Sequence, residues 1–157
     1  MCKDKACCFF GHRKINETPE LTEILESVIE SLIKEKAVNI FYFGSKSEFD
    51  SLCLKVVTDL KEKYPHIKRI YVRAEFPYID DSYKKYLLES YEDTYYPEKI
   101  KSSGKSAYIE RNYEMINNSQ ICIIYYNNNN IISSRKSGTK IALDYAINKD
   151  KEILHFY

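Results

Sequence analysis

The chain lacks the features that mark several broad classes of protein. Its 24 Lys and Arg residues are balanced by 23 Asp and Glu residues, so the net charge of +1 gives no overall field that would attract nucleic acid or an acidic membrane. No apolar run approaches the ~20 residues of a membrane span, and the five apolar residues before Gly11 are too few for a signal-peptide core. We therefore expect a soluble, cytoplasmic protein that has no membrane partner and for which nucleic acid is a disfavoured ligand.

Motifs that hold metals, ATP and dinucleotides are also missing. The five cysteines contain no CxxC pair, and their spacing relative to His12 fits no common zinc site. We predict no metal centre and interpret the cysteines as buried, reduced thiols. The sequence has neither GxxxxGK(S/T) nor GxGxxG, which argues against an ATPase phosphate loop and a typical dinucleotide-binding turn. No cofactor is predicted.

The sequence instead alternates short apolar runs with stretches of helical periodicity. The apolar runs predict buried strands at residues 6–10, 38–43, 67–72, 121–126 and 152–156. Residues with the side chains of helix caps predict helices that begin after Thr18, Ser47, Asp80 and Ser137, and a further helix covers about 107–117. With 44% apolar residues in 157, residues 1–157 are predicted to form one α/β domain, a doubly wound and mainly parallel sheet with helices on both faces.

Three segments fit this alternation less well. Tyr83, Tyr86 and Tyr91 have helical spacing and are interpreted as core or as a subunit interface, which favours a homo-oligomer. Residues 94–106 are predicted to leave the core, and their lysines form either a solvated loop or a basic lid. Residues 127–136 predict a polar loop.

Candidate binding residues follow the predicted strands. In an open parallel sheet, ligands bind outside the carboxyl ends of the strands, near the point where the strand order reverses. The segments at these positions contain glycines, hydroxyl groups and basic side chains, which favour an anionic ligand. The residues concerned are Gly11, His12, Arg13, Gly44, Ser45, Lys46, Arg73 and Tyr126, together with Ser137, Gly138 and Thr139 at the start of the last helix.

Each of these segments also has a structural interpretation. Ser137 is either an ordinary helix cap or part of a phosphate site in which backbone N–H groups and the helix dipole bind the anion. His12 and Arg13 either contact a nucleotide or form a solvated loop. The segment after Gly44 is either a ligand loop or a tight turn. Arg111 either directs its guanidinium into the cleft or, like Glu110 beside it, has a structural role on its helix.

Four motifs, taken in order along nearly the whole chain, resemble the SLOG superfamily and in particular its YpsA-like branch. The motifs are Cys8-Phe9-Phe10-Gly11-His12-Arg13, Phe43-Gly44 with Phe49-Asp50, Glu110-Arg111-Asn112 with Met115, and Ser137-Gly138-Thr139 with Tyr145-Ala146. The resemblance implies a Rossmann-like fold related to the LOG and DprA proteins. It also implies that the chain binds a nucleotide or an ADP-ribose-type messenger of antiviral defence, and it adds Asp50, Arg111 and Asn112 to the ligand-binding candidates.

The chain departs from the related LOG enzymes at a central position. Their pattern resembles GGxGTxxE, and the glutamate position is Ala142 here, while Asp144 lies two residues later on a different helix face. The segment after Gly44 is also less rich in glycine than in relatives. An alanine cannot act as an acid or a nucleophile. We therefore predict a non-catalytic sensor or sequestering protein, which would capture a nucleotide-derived immune signal.

The alternative function is a nucleotide N-glycosidase, a phosphoribohydrolase or a deoxyribosyltransferase-type enzyme. In that case Glu75, Glu110 or Asp50 would replace the missing carboxylate. Single-stranded nucleic-acid binding of the DprA kind is a third and weaker hypothesis, because the chain is nearly neutral.

Overall fold

The computed structural model describes residues 4–127 and 137–156. The strands are β1 (Ala6–Gly11), β2 (Ile40–Phe43), β3 (Lys68–Val72), β4 (Asp93–Tyr95), β5 (Ile121–Tyr125) and β6 (Glu152–Phe156). The helices are α1 (Pro19–Lys36), α2 (Glu48–Lys63), α3 (Asp81–Leu87), α4 (Lys105–Asn117) and α5 (Gly138–Asn148).

Helices α1, α2 and α5 begin directly after the capping residues that the sequence indicates. The Thr18 hydroxyl accepts a hydrogen bond from the Leu21 amide at 3.1 Å, and Pro19 occupies the first position of α1. The hydroxyls of Ser47 and Ser137 cap α2 and α5 in the same way, each at 3.1 Å from an amide three residues later. These side chains satisfy N–H groups that have no partner within the helix, so short local signals determine where each helix starts.

The described strands form one parallel sheet in the order β4-β3-β2-β1-β5-β6. The chain proceeds outward from β1 to β4, then returns to place β5 on the other side of β1. The strand order therefore reverses between β1 and β5. This arrangement confirms the predicted α/β, Rossmann-like fold, with every described strand pair parallel.

Helices cover both faces of the sheet. Successive side chains of β1 point to opposite sides of the sheet and enter two separate cores. Cys7 and Phe9 pack in a buried cluster with α1 and α2. Cys8 and Phe10 pack in a second cluster with α4 and α5. Four cysteines are buried free thiols, namely Cys7, Cys8, Cys53 and Cys122. The continuous apolar run in β1 therefore reflects burial on both faces.

The middle of the chain requires four corrections. Residues 94–106 are not wholly an excursion, since β4 pairs with β3 and Ile100 is buried. Helix α4 begins at Lys105 rather than near 107. Tyr91 lies beyond the end of α3, and its ring packs against Phe43 and Tyr71. Tyr86 is exposed and is not a core residue. Apart from Asn127, the predicted loop at 127–136 lies outside the described residues.

None of the helices within residues 4–127 and 137–156 combines the length and the apolar character needed to cross a membrane.

Gly11 allows the end of β1 to lie directly against the first turn of α2. A Cβ atom at this position would overlap Cβ, Cγ and Cδ2 of Phe49, a fully buried residue. Gly11 is thus required by packing between a strand end and a helix, at the point where the sheet meets the candidate site.

We expect Gly11→Ala to lower the free energy of unfolding by about 1–3 kcal/mol, because the added methyl group overpacks a core site. Gly138→Ala is the matched control, since a Cβ atom there meets nothing within 4 Å. Urea denaturation of both variants and the wild type measures the difference. Equal stability of the two variants would contradict this account of Gly11.

Candidate functional site

A cleft of about 690 Å³ lies outside the carboxyl ends of β1, β2 and β3. Helix α4 and the beginning of α5 complete its walls. The lining residues are Phe10–Arg13, Gly44–Ser47, Tyr71, Arg73–Phe76, Tyr83, Lys105, Tyr108, Arg111, Asn112 and Ser137–Thr139. This position, beside the point where the strand order reverses, is where open α/β sheets bind ligands.

The cleft brings together all predicted ligand-binding residues except Asp50 and Tyr126. The residues that line it as predicted are Gly11, His12, Arg13, Gly44, Ser45, Lys46, Arg73, Arg111, Asn112, Ser137, Gly138 and Thr139. Asp50 and Tyr126 are buried behind the walls, with exposed fractions of 3% and 4%. Sequence reasoning thus found the segments, and the structure separates wall residues from supporting ones.

Basic side chains dominate the cleft, although the whole chain is nearly neutral. Within the described lining, basic groups come from Arg13, Lys46, Arg73, Lys105 and Arg111, whereas Glu75 contributes the one carboxylate. Low-dielectric walls that carry charge of one sign concentrate the field inside a cleft. The arrangement suits an anionic ligand.

Arg111 is the most buried of these cations, with an exposed fraction of 4%. Its Nη1 donates a hydrogen bond to the carbonyl oxygen of Gly44, and its Nε donates to Asn112 Oδ1 at 3.0 Å. Burial lowers the pKa of Arg111, while the nearby Tyr71 and Asp50 act in the opposite direction. Arg111 therefore holds the end of β2 against α4 while it lines the cleft.

Glu110 has a structural role and its hydrogen bonds are not to Arg111. The Glu110 carboxylate instead accepts hydrogen bonds from the amides of Lys101 and Ser102, at 2.8 and 3.2 Å, and from the Ser102 hydroxyl at 2.8 Å. These bonds lower the pKa of Glu110. Glu110 anchors the loop before α4 and does not line the cleft.

The space around Gly44 is filled, whereas the space around Gly138 is open. A Cβ atom at Gly44 would lie 2.7 Å from Cδ of Arg111 and 2.9 Å from Sδ of Met115, so the arginine already occupies that space. A Cβ atom at Gly138 would meet nothing within 4 Å. Both Ser137 and Gly138 are exposed, and an anion can approach the N-terminus of α5 there.

Asp50 is buried next to the cleft and stabilises the segment that follows Gly44. Its Oδ2 accepts a hydrogen bond from the Ser45 amide at 3.1 Å, which fixes the turn between β2 and α2. Its Oδ1 is buried and has no partner among the described residues. Burial raises the pKa of Asp50 to about 7, although the Ser45 amide and Arg111 favour the ionised form.

Tyr126 supports His12, which lines the cleft. The Asn127 amide donates a hydrogen bond to His12 Nε2 at 2.9 Å. The rings of His12 and Tyr126 lie 5.4 Å apart between centroids. Residues 126–127 therefore orient the imidazole from behind.

Sequence reasoning missed one side of the cleft, which we call the aromatic wall. It consists of Tyr71, Phe76, Tyr83 and Tyr108, and Glu75 lies beside it. The hydroxyl of Tyr108 donates a hydrogen bond to Glu75 Oε1, although the two residues are far apart in sequence. The position of Phe76 after β3 was an available signal, whereas nothing local identifies Tyr83 or Tyr108.

Neither a protein-family model nor a curated protein matches this chain. Within residues 4–127 and 137–156, no three His, Cys, Asp or Glu side chains are grouped so that they could hold a metal ion.

The raised pKa of Asp50 predicts a pH-dependent stability. Between about pH 4 and pH 7 the folded protein keeps a proton on Asp50 that the unfolded chain has lost. The free energy of unfolding should therefore fall as the pH rises through this range, by at most about 1.4 kcal/mol per pH unit, and should change little above it.

Asp50→Asn removes the titrating group and keeps an acceptor for the Ser45 amide. We expect its stability relative to the wild type to rise from about pH 4 to about pH 7 and then level off, because the wild type loses stability over this range. Denaturant titrations at several pH values measure this difference. A constant difference across the range would show that Asp50 ionises in the folded state as it does in the unfolded chain.

Proposed function

We propose that the chain binds a nucleotide or nucleotide-derived signal in this cleft without altering it. The observation that carries the proposal is one cleft that combines an accessible helix N-terminus, a preponderance of basic side chains and an aromatic wall. Helix N-termini and basic groups bind phosphate, and aromatic rings provide stacking surfaces for bases. A nucleotide presents both kinds of group, a phosphate and a base.

The phosphate is proposed to bind at the start of α5. Ser137 and Gly138 are exposed, and α5 has no acidic residue in its first turn that would repel an anion. Arg13 and Lys46 are exposed basic residues of the same cleft. Their long side chains can move to meet a ligand, unlike the fixed guanidinium of Arg111.

Binding without catalysis is supported by the surroundings of α5. Ala142, at the position of the LOG-type glutamate, is buried in the core against the sheet. Asp144 forms an ion pair with Lys140 at 2.8 Å and does not line the cleft. Neither residue supplies a carboxylate to a bound ligand.

On the strength of the SLOG resemblance, we propose an ADP-ribose-type messenger as the first ligand class to test. A cleft of about 690 Å³ is large enough for a nucleotide with two phosphates. A protein that holds such a messenger would act as a sensor with a partner, or would lower the free concentration of the messenger by itself.

We expect Gly138→Glu to weaken binding of the best ligand by at least about tenfold, because it adds a negative charge where the phosphate is proposed to lie. Gly138→Gln is the control of similar size without the charge. Isothermal titration with AMP, ADP-ribose and cyclic ADP-ribose isomers measures the affinities. Equal losses in both variants would indicate simple obstruction, and unchanged affinity would place the phosphate elsewhere.

A second candidate function is cleavage of the bond between base and ribose. It is favoured by Glu75, the one carboxylate in the described lining, whereas Glu110 and Asp50 lie outside the cleft. A carboxylate in a binding cleft can serve as a nucleophile or as an acid. Incubation with the same nucleotides would then release free base, and Glu75→Gln would abolish the release. Nucleotides recovered intact from the wild type exclude this function for them.

A further inference from the structure

Glu75 presents an acceptor-only group to the cleft, beside the aromatic wall. An ionised carboxylate accepts hydrogen bonds and donates none. Tyr108 donates to Oε1, and this hydrogen bond raises the pKa of Tyr108, so the phenol remains the donor. Oε2 accepts no hydrogen bond from the part of the chain that the structure describes. Glu75 can therefore accept a further hydrogen bond, from a donor group of a ligand.

The backbone that carries Glu75 is held in place by Arg73. The guanidinium donates from Nε to the carbonyl oxygen of Phe76 at 3.0 Å and from Nη1 to the Thr94 hydroxyl at 3.1 Å. Thr94 in turn donates to the carbonyl oxygen of Tyr71 at 2.8 Å. The turn after β3 is thus tied to both β3 and β4. A side chain on such a fixed segment can discriminate between ligands.

Aromatic side chains line the cleft together with this carboxylate. Phe76 and Tyr83 contact each other edge to face, with centroids 6.1 Å apart. The Arg111 guanidinium lies 5.4 Å from the centroid of the Tyr108 ring. Bases stack on aromatic rings and on guanidinium planes. A base that stacks on this wall would lie close to Glu75, which lines the same cleft.

On the premise of the proposed nucleotide site, we infer that Glu75 selects a nucleobase with an exocyclic amino group. The amino group, such as N6 of adenine or N2 of guanine, donates a hydrogen bond to Oε2 of Glu75. Carbonyl oxygens in the same place, such as those of hypoxanthine or uracil, meet a second acceptor and are repelled. The specificity thus comes from one charged acceptor whose partner must be a donor.

The test compares ligands that differ only in the amino group. The pairs are AMP with purine riboside 5′-monophosphate, and GMP with IMP. Titration calorimetry with the wild type should show that removal of the amino group weakens binding about tenfold in the pair that the cleft accepts, since a hydrogen bond to a charged acceptor is lost. In Glu75→Leu the two members of that pair should bind equally.

Glu89→Leu is the matched control, because Glu89 is exposed and lies outside the cleft. Glu89→Leu should keep the tenfold difference in affinity between the ligands with and without the amino group. A ratio near one for both pairs in the wild type, or a ratio that survives in Glu75→Leu, overturns the inference while nucleotide binding stands. Release of free base that depends on Glu75 also overturns it, by assigning the carboxylate to cleavage. If neither the four monophosphates nor the larger nucleotides bind, the proposed site itself fails.

Discussion

The contact between the Arg111 guanidinium and the carbonyl oxygen of Gly44 is the interaction on which the cleft depends. It joins α4, which covers one face of the sheet, to the turn after β2, whose helix covers the other face. A charge buried to this degree is costly unless it is paired and hydrogen-bonded. Arg111 is hydrogen-bonded to Gly44 and Asn112, and the nearby Asp50 raises the pKa of Arg111 against the effect of burial. Gly44 has no side chain because the arginine passes over it.

The basic residues of the cleft fall into two groups with different roles. Arg73 and Arg111 donate to backbone carbonyl oxygens and hold the ends of β3 and β2 in position. Arg13, Lys46 and Lys105 are exposed, and no ion pair links them to a carboxylate among the described residues. The first group builds the cleft, and the second is available to an anionic ligand. A local positive field thus arises on a nearly neutral chain, where it can attract an anionic ligand.

Much of the fold was predictable because its signals are local. Capping side chains such as Thr18 and Ser137 fix helix starts, and apolar runs such as that of β1 identify strands buried on both faces. β4 was missed because three residues, one of them an exposed aspartate, leave no apolar run. Most cleft residues could be predicted because the carboxyl ends of parallel strands lie at the same edge of the sheet. The contact of Glu75 with Tyr108 did not, since it depends on how α4 packs against the turn after β3.

The measurement that tests the central claim most directly is the identification of what the cleft retains. The protein is mixed with a panel of nucleotides that includes AMP, GMP, ADP-ribose and cyclic ADP-ribose isomers, freed of unbound ligand and then denatured, and the released molecules are separated by chromatography. Recovery of one intact nucleotide from the panel, in near-equal amount to the protein, is the predicted result. Recovery of free base with ribose phosphate, or of no nucleotide at all, would contradict a non-catalytic nucleotide site.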